Sequence, residues 1–310
     1  MLVEVIRSGM PEALHQVCVV ALDSSGSTLL KSGETTRPFY YRSAAKPFQA
    51  AVSQSLGADL PPEHLAVACA SHDGDPAHIA IAESILASAG LDEAALRCPP
   101  DWPLGLRGKR RAWAIPGAVP RRIWHNCSGK HAAMLKACVV QGWDRDAYLD
   151  PDHPLQQAIT RLMVEFSGPD VLPVGVDGCG APVYRATAQS MAGAFLALAE
   201  DETFTDVRTA MSRYPSLVSG VGNDDAVVAT WLGGAAKRGA EGCIGIALPG
   251  RGSLALKAWD GAGRAVGPAV LHVLETLDWI PEGARRELTL GLSAPVLGGG
   301  SPVGTFRAVL

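Results

Sequence analysis

Strand-forming segments lie near both ends of this chain. Near the start, QVCVVALD at residues 16–23 is rich in β-branched residues and is followed by a DSSG turn and STLLKSG, which predicts an antiparallel hairpin. Near the end, GCIGIALPG at residues 242–250 and SLALKAWDG at residues 253–261 are also strand-like. Since helical patterns fill the region between, the sequence predicts an α/β fold: an antiparallel sheet built from N- and C-terminal strands, with helices packed on it.

Helical patterns, with apolar residues recurring about every 3.6 positions, occupy most of the middle of the chain. Two stretches depart from them: HLAVACA at residues 64–70 is interpreted as a buried strand, and residues 93–124 as a long irregular connection. No repeat or linker divides the sequence, so residues 1–310 are predicted to form a single domain with a helical central subregion. Helices are predicted from about residue 43 and over 77–90, 129–141, 154–166, 184–200, 203–213, 222–237 and 267–280.

Composition and charge argue against several classes of protein. The 310 residues carry a net charge of −4 without a basic stripe, so no nucleic-acid partner is expected. The longest apolar runs fall short of the roughly 18 residues that span a membrane, and MLVEVIRSGM lacks the pattern of a signal peptide. The 7 cysteines are widely spaced, without a CxxC pair, which indicates reduced thiols. We therefore expect a cytoplasmic protein that does not bind a membrane.

RSAAKPF at residues 42–48 places a serine three residues before a lysine at the start of a helix. Because Pro47 is tolerated only in a first turn, the helix is predicted to begin at about Ser43 or Ala44. Lys46 then lies on the same face as Ser43, within reach of its hydroxyl. A serine needs an adjacent base to act as a nucleophile, and a desolvated lysine can be that base. The alternative is a capping serine with a solvated lysine.

The stretch ACASHDG at residues 68–74 ends a buried apolar run at Ser71 and His72. Polar residues at the end of a strand can present reactive groups at the edge of a sheet. They are also common in loops, so a turn-forming serine is the alternative for Ser71.

Two cysteines lie in distinctive surroundings. HNCSGKH places Cys127 just before a helix with Lys130 in its first turn, an environment that lowers the pKa of a thiol. VGVDGCGAP presents Asp177 and Cys179 in a turn framed by glycines. For both cysteines the alternative is a small buried hydrophobic side chain.

Taken together, RSAAKP, CASH, NCSGKH and VDGCGAP, in this order and at these separations, resemble the Rhizobium-type L-asparaginases of the asparaginase II family. The opening RSGMPEALH, the HPLQ at residues 153–156 and the AAKRGAEG around Lys237 are similar in kind. The resemblance runs from about residue 4 to about residue 305. It implies a fold like that of the serine β-lactamases, penicillin-binding proteins and glutaminases, and an enzyme that hydrolyses the side-chain amide of L-asparagine.

The resemblance implies two serine–lysine dyads, Ser43 with Lys46 and Ser71 with Lys237. Lys237 precedes the strand GCIGIA, a position similar to that of the K-T-G strand of penicillin-binding proteins. Two nearby ammonium groups lower each other's pKa, so one lysine can be neutral and accept a proton. Lys46 is expected to take the proton of Ser43 as it attacks the amide. Ser71 and Lys237 are expected to assist hydrolysis of the resulting ester.

The resemblance also implies a metal site at Cys127, Lys130 and Cys179, with zinc as the expected ion. Two thiolates are good zinc ligands, whereas a lysine nitrogen is an unusual one and must be neutral to bind. Whether the metal takes part in the reaction or only shapes the pocket is open at this point.

Substrate contacts are implied for three further residues. The carboxylate of Asp177 suits the α-ammonium of an amino acid, Arg42 is placed to contact its α-carboxylate, and His131 would complete the hydrogen-bond network. For Arg42 and His131 the alternative is ordinary capping or surface charge. A homodimer is expected by analogy with such enzymes.

Asp73 and Asp75 form one departure from the family pattern, since fewer acids are expected beside Ser71. Their charge could alter the second dyad or the choice of substrate. The favoured interpretation is that both acids cap a helix that begins at about residue 76.

Two other functions are alternatives to the asparaginase hypothesis. The first is another serine acyl hydrolase of the same fold, such as a glutaminase, a β-lactamase or a DD-peptidase, which would keep Ser43 and Lys46 but would not need Cys127 and Cys179. The second is a non-catalytic binding protein that uses the two cysteines to sense metal or redox state. The second leaves both serine–lysine pairs unexplained.

Overall fold

The computed structural model describes residues 1–310, which divide into two compact units. The first unit comprises residues 1–39, 186–201 and 222–310, and the second comprises residues 40–185 and 202–221. The second unit contains the helical subregion expected in the middle of the chain. That all 310 residues make one domain stays a prediction.

The first unit is built around an eight-stranded antiparallel sheet that both ends of the chain supply, as predicted. The strand order is β11-β12-β1-β2-β10-β9-β8, and β3 pairs with β2. The strands are β1 Leu2–Arg7, β2 Met10–Asp23, β3 Thr28–Ser32, β8 Ala235–Gly239, β9 Cys243–Leu248, β10 Gly252–Ala258, β11 Val296–Gly298 and β12 Ser301–Val309.

The centre of this sheet is covered on both faces. Every residue of β9 and β10 is buried, which explains why these strands read as continuous apolar runs and not as an alternating pattern. Glycine is required at Gly245, where a Cβ would lie 2.2 Å from the ring of Phe195 in a packed helix. The helices of this unit are α7 Ala188–Glu200, α10 Asp224–Leu232, α11 Val266–Thr276 and α12 Arg285–Leu292.

The second unit is helical, and its central element is the helix α5 Ser128–Gln141, which contacts α1, α2, α3 and α6. Gly142 ends α5 in the left-handed conformation (φ 68°) that favours glycine at a helix C-terminus. The helices are α1 Lys46–Ser53, α2 Pro62–Ala68, α3 Pro76–Ser88, α4 Leu106–Trp113, α5, α6 Pro154–Ser167, α8 Thr205–Arg213 and α9 Pro215–Val218. No helix in the structure is both long enough and apolar enough to cross a membrane.

Shorter elements complete the fold. The chain passes between the units four times, twice within the short strands β4 Phe39–Tyr40 and β7 Arg185–Ala186. In the second unit, β5 Gly175–Val176 pairs with β6 Pro182–Val183 in a hairpin. The 3₁₀ helices are Arg42–Ala45, Glu93–Ala95, Pro169–Val171, Glu202–Phe204, Gly263–Ala265 and Glu282–Ala284, and Gln54–Ala58 is a π-helical turn.

Three predictions about local structure were wrong. The apolar run at residues 64–70 lies largely in the helix α2 and is not a strand, because a short buried run does not distinguish the two by its period. The predicted helix over 222–237 ends at Leu232, where Gly233 adopts φ 72°, and Lys237 lies on β8. The segment 93–124, predicted to be irregular, contains the helix α4.

Candidate active site

The segment that carries Ser43 and Lys46 is a 3₁₀ turn leading directly into α1. Pro47 occupies the first turn of α1, as its missing N–H requires. Ser43 lies in the 3₁₀ turn and is half-buried, whereas the Lys46 side chain is buried, with 1% of its surface exposed. The helix entry was therefore predicted within a few residues, and it places the lysine inside the unit.

Lys46 is held by three oxygen atoms. Its Nζ donates to the backbone oxygen of Ala70 at 2.5 Å and to that of Asn126 at 3.5 Å, and it lies 2.9 Å from Ser71 Oγ. The hydrogen bond thus joins Lys46 to the serine expected in the other dyad. Pairing of Ser43 with Lys46 stays a prediction.

Main-chain hydrogen bonds position Ser71 in the loop after α2. The N–H of Ser71 donates to Val218 O at 3.0 Å, and that of Asp73 donates to Ser219 O at 2.7 Å. Between them, the N–H of His72 donates to Asn126 O at 3.2 Å. Because three successive donors are fixed in this way, the loop holds the Ser71 hydroxyl rigidly beside Lys46.

Two histidines that the sequence analysis did not assign to the site lie behind this loop. His72 Nε2 is 2.9 Å from Ser128 Oγ, and its ring stacks on that of His78 at 5.2 Å. Burial, together with the nearby charges of His78 and Lys46, lowers the pKa of His72 well below its ordinary value. Burial also lowers the pKa of His78. Both imidazoles are therefore neutral at pH 7.

The structure brings Cys127, Lys130 and Cys179 together in a buried cluster. Lys130 Nζ donates to Cys179 Sγ at 3.2 Å. A hydrogen bond from Cys127, the charge of Lys130 and a hydrogen bond from His131 lower the pKa of Cys179 well below the ordinary thiol value despite its burial. The same hydrogen bond and burial raise the pKa of Cys127. Of the two thiols, Cys179 is therefore the one whose ionisation is favoured.

The Lys130 ammonium lies beside Cys179 in this cluster. Burial alone would lower its pKa, but the negative charge on Cys179 and Cys127 outweighs burial and raises it. A metal bound here would replace that proton. The two sulfur atoms and the lysine nitrogen of this cluster are donors that suit zinc. No three side chains of histidine, cysteine, aspartate or glutamate come together in the structure in a way that could hold a metal ion.

Arg42 and Asp177, both expected to contact substrate, form an ion pair with each other. Arg42 Nε donates to Asp177 Oδ1 at 2.7 Å, and the N–H of Gly178 donates to the same oxygen at 2.9 Å. Arg42 has a left-handed backbone (φ 50°), which is uncommon for a side chain of this size and marks a strained position.

His131, the third expected substrate contact, is fully buried in the first turns of α5. Its Nδ1 lies 2.6 Å from Tyr148 Oη. Burial lowers the pKa of His131, although interactions with Cys179 oppose the shift. The sequence analysis did not single out Tyr148, because nothing local connects it to a helix 17 residues earlier.

Lys237 lies in the first unit on the strand β8, with no exposed surface. Its Nζ donates to Asp225 Oδ2 at 3.3 Å and to Arg238 O at 3.1 Å. Asp225, in the first turn of α10, is as deeply buried and was missed, because an acid at a helix N-terminus looks like an ordinary cap. Pairing of Lys237 with Ser71, which belongs to the second unit, stays a prediction.

The capping role preferred for Asp73 and Asp75 was partly wrong. The next helix does begin at Pro76, and Asp75 is its N-cap residue, but the Asp75 side chain makes no capping hydrogen bond. Asp75 instead lies 3.6 Å from Arg107, and Asp73 contributes its backbone oxygen to the N–H of Gly105.

Comparison with known proteins gives a family match over nearly the whole length. The profile of the family described as L-asparaginase II matches residues 3–308. A comparison with curated proteins finds no match.

Solved structures give more distant matches. A structure described as Mglu in its tris and glutamate form is 14% identical, with a TM-score of 0.38, and covers 86% of this chain and 60% of that chain. A Bacillus glutaminase in 4.3 M NaCl is 13% identical, with a TM-score of 0.38, and covers 86% of this chain and 92% of that chain. Mglu in its L-glutamate binding form is 14% identical, with a TM-score of 0.41, and covers 85% and 60%. This chain thus spans about 60% of the length of the two Mglu structures, and matches at these TM-scores carry no argument about its site.

Proposed function

Because the chain belongs to the L-asparaginase II family, we propose that it is an amidohydrolase that converts L-asparagine to L-aspartate and ammonia. The observation that carries the proposal is the contact of 2.9 Å between Lys46 Nζ and Ser71 Oγ, both of them buried. A buried lysine hydrogen-bonded to a serine is an arrangement that can activate a hydroxyl for attack on an amide.

In the proposed reaction, the Ser43 oxygen attacks the side-chain amide carbon of asparagine while Lys46 takes the hydroxyl proton. Backbone N–H groups stabilise the oxyanion, and the N–H of Ser43 itself is the expected first donor. The C–N bond breaks, the nitrogen takes a proton, and ammonia leaves a β-aspartyl ester on Ser43. Water then adds to the ester with help from Ser71 and Lys237, which releases aspartate and restores the serine.

A second assignment of roles has one specific observation in its favour. A neutral Lys46 could donate its two N–H groups to the carbonyls of Ala70 and Asn126 and accept the proton of Ser71 with its lone pair. In this version Ser71 is the nucleophile, and Ser43 assists. The two versions predict opposite results for Ser43→Ala and Ser71→Ala.

Substrate recognition is proposed to use Arg42, Asp177 and His131. Arg42 and Asp177 carry opposite charges and already share a hydrogen bond, so an amino acid could take the carboxylate for its ammonium and the guanidinium for its carboxylate. Such a substrate would pair with both half-buried charges at once, which would favour a free amino acid over a peptide.

We further propose that Cys127, Lys130 and Cys179 hold zinc. Zinc bound there would fix the turn that carries Asp177 and draw the protons off its ligands. A homodimer, proposed by analogy with such enzymes, and a cytoplasmic location, proposed because the widely spaced cysteines indicate reduced thiols, complete the proposal.

The test is ammonia release by the purified protein, supplied with zinc, from L-asparagine and L-glutamine, with nitrocefin hydrolysis measured alongside. The proposal expects release from asparagine, little from glutamine and no nitrocefin hydrolysis. Faster release from glutamine would favour a glutaminase, and nitrocefin hydrolysis would favour a β-lactamase-like enzyme. Tight binding of an amino acid without any turnover would favour a binding protein.

A further inference from the structure

A cavity of about 260 Å³ lies in the second unit beside the helices α3 and α4. This volume is just below the roughly 300–1,000 Å³ of pockets that hold drug-sized ligands. None of the residues that line the cavity belongs to the proposed active site. A ligand that fills it would therefore be small, about the size of a free amino acid, and would bind apart from the residues assigned to the reaction.

The floor of the cavity is formed by closely packed backbone. Gly74 has φ 77°, and a Cβ there would lie 2.6 Å from Pro103 Cβ. A Cβ at Gly108, in α4, would lie 2.7 Å from the same atom. The N–H of Gly105 also donates to the backbone oxygen of Asp73 at 2.8 Å. Because these contacts hold the floor in place without a ligand, the cavity is pre-formed, as small-molecule sites usually are.

Three large apolar side chains line the cavity: Ile79 of α3, Ile115 just beyond α4, and Trp124. Trp124 is buried and stacks on Trp102 with 5.7 Å between the ring centroids, so its position is fixed. Ile115 is 53% exposed, although it is a large hydrophobic side chain. An apolar group placed against these side chains would remove hydrophobic surface from water, which favours binding.

Two side chains of opposite charge line the same cavity, Glu83 from α3 and Arg111 from α4. Neither side chain has a hydrogen bond or an ion pair within the chain. Arg107, one turn earlier on α4, differs because it lies 3.6 Å from Asp75. A ligand that carries both an ammonium group and a carboxylate group would pair with both charges at once.

We propose that this cavity binds a free amino acid with an aliphatic or aromatic side chain. The Glu83 carboxylate accepts hydrogen bonds from the ammonium group of the ligand, and the Arg111 guanidinium donates to its carboxylate. The apolar side chain of the ligand lies against Ile79, Ile115 and Trp124. A polar amino acid would leave these apolar walls without a partner. The site goes beyond the proposed function and does not depend on it, because the two share no residue.

The first experiment measures binding and locates it. Isothermal titration calorimetry follows the addition of L-phenylalanine, and separately of L-leucine, to the unmodified protein and to Ala80→Trp, with the fold of the variant checked by circular dichroism. Ala80 lines the cavity and is exposed, so a larger side chain there fills the cavity without entering the core. We expect binding by the unmodified protein and none by Ala80→Trp. Undiminished binding by Ala80→Trp would overturn the proposal, as would no binding of either amino acid at about 10 mM, a concentration that detects a Kd of about 1 mM.

The second experiment tests the two charges with a ligand that lacks one of them. Hydrocinnamate has the ring and the carboxylate of phenylalanine but no ammonium group. Arg111→Gln should weaken binding of both ligands by about fivefold or more, the value of one hydrogen bond, whereas Glu83→Gln should weaken only the binding of L-phenylalanine. Arg110→Gln is the matched control, because Arg110 is the preceding residue of α4 and does not line the cavity. It should change either affinity by less than about twofold.

The outcomes of the second experiment decide the ligand class. Equal losses of affinity in Arg110→Gln and Arg111→Gln would show an effect of net charge alone and would overturn the proposal. Equal losses for both ligands in Glu83→Gln would overturn the pairing of Glu83 with an ammonium group, and with it the assignment to amino acids. Absence of ammonia release from L-asparagine would overturn the proposed function while leaving this binding site standing.

Discussion

Two buried lysines, one in each unit, have contrasting surroundings. Lys46 in the second unit is held by two backbone carbonyls and the hydroxyl of Ser71. Lys237 in the first unit is held by the carboxylate of Asp225, at 3.3 Å, and by one carbonyl. Both side chains are almost completely removed from solvent.

These different surroundings determine how readily each lysine can exchange a proton. A buried carboxylate stabilises the ammonium form of a lysine, whereas carbonyls and a hydroxyl accept hydrogen bonds from either protonation state. Lys46 can therefore give up and take back a proton without leaving a buried negative charge unbalanced. Lys237 is tied to Asp225, and any change in its charge involves the pair.

The largest expected effect is a loss of kcat when Lys46 is replaced, and it tests whether Lys46 is the proton acceptor. Lys46→Met keeps the length of the side chain but removes the proton acceptor, so kcat for asparagine should fall about 100-fold to 10,000-fold. Lys257→Met is the control, because Lys257 is another buried lysine that donates to backbone carbonyls but has no serine beside it. Ammonia release from folded samples of both variants is the measurement, and comparable losses in the two would contradict the assignment.

The next largest expected effect is a loss of stability when the ion pair between Lys237 and Asp225 is broken. Asp225→Asn leaves a buried ammonium without its carboxylate, which should lower the free energy of unfolding by about 3–5 kcal/mol. The double variant Asp225→Asn with Lys237→Met should recover much of that loss, because neither charge is then left alone. Urea unfolding measures both, and a loss below about 0.5 kcal/mol in the single variant would show that the pair contributes little.

A third buried lysine extends the comparison to the metal site. Lys130 pairs with the thiolate of Cys179 and not with a carboxylate. If the three proposed ligands share the roughly 10–16 kcal/mol of a structural zinc site, Cys179→Ser should weaken zinc binding by about 3–5 kcal/mol. Competition with a chromophoric chelator measures the affinity. Cys138→Ser, a buried cysteine of α5 outside the cluster, should bind zinc like the unmodified protein, and binding by Cys179→Ser at full strength would refute the site.

The smallest expected effect is a change of stability with pH. It concerns the surroundings of Lys46 and not those of Lys237, because the neutral histidines lie near Lys46. Burial places the folded-state pKa of His72 and His78 below the unfolded value of about 6.5. The unfolded chain therefore binds more protons as pH falls, and the stability present above pH 6.5 is lost below it, by at most about 1.4 kcal/mol per pH unit for each histidine.

Urea unfolding at several pH values between 7 and 5 measures this dependence. The variant His78→Gln should lose stability with a smaller slope than the unmodified protein, the difference being at most about 1.4 kcal/mol per pH unit. Parallel slopes for the two proteins would show that His78 already takes up its proton in the folded state.

The sequence predicted the elements whose signals are local. The helix α5 was expected over 129–141 and lies at Ser128–Gln141, and α6 was expected over 154–166 and lies at Pro154–Ser167. The serine that begins α5, the proline in the first turn of α6 and the glycine that follows each helix are signals that do not depend on distant neighbours. The antiparallel sheet was predictable for a similar reason, since strand-like runs occur at both ends of the chain.

The contacts that form the site were less predictable. Pairing of Lys46 with the serine three residues away stays a prediction, whereas its contact with Ser71, 25 residues along the chain, had no signal in the sequence. Burial of Asp225 against Lys237 depends on how α10 packs beside β8, which no spacing in the sequence reports. Spacing along a helix constrains only neighbours within a turn, whereas these pairs are set by tertiary packing.

Ammonia release from L-asparagine by the unmodified protein, Ser43→Ala and Ser71→Ala, each folded and supplied with zinc, tests the central claim most directly. The account predicts rapid release by the unmodified protein and loss of nearly all of it in Ser43→Ala. Retention of most activity in Ser43→Ala, together with its loss in Ser71→Ala, would transfer the nucleophile to Ser71. No release from the unmodified protein would contradict the asparaginase proposal itself.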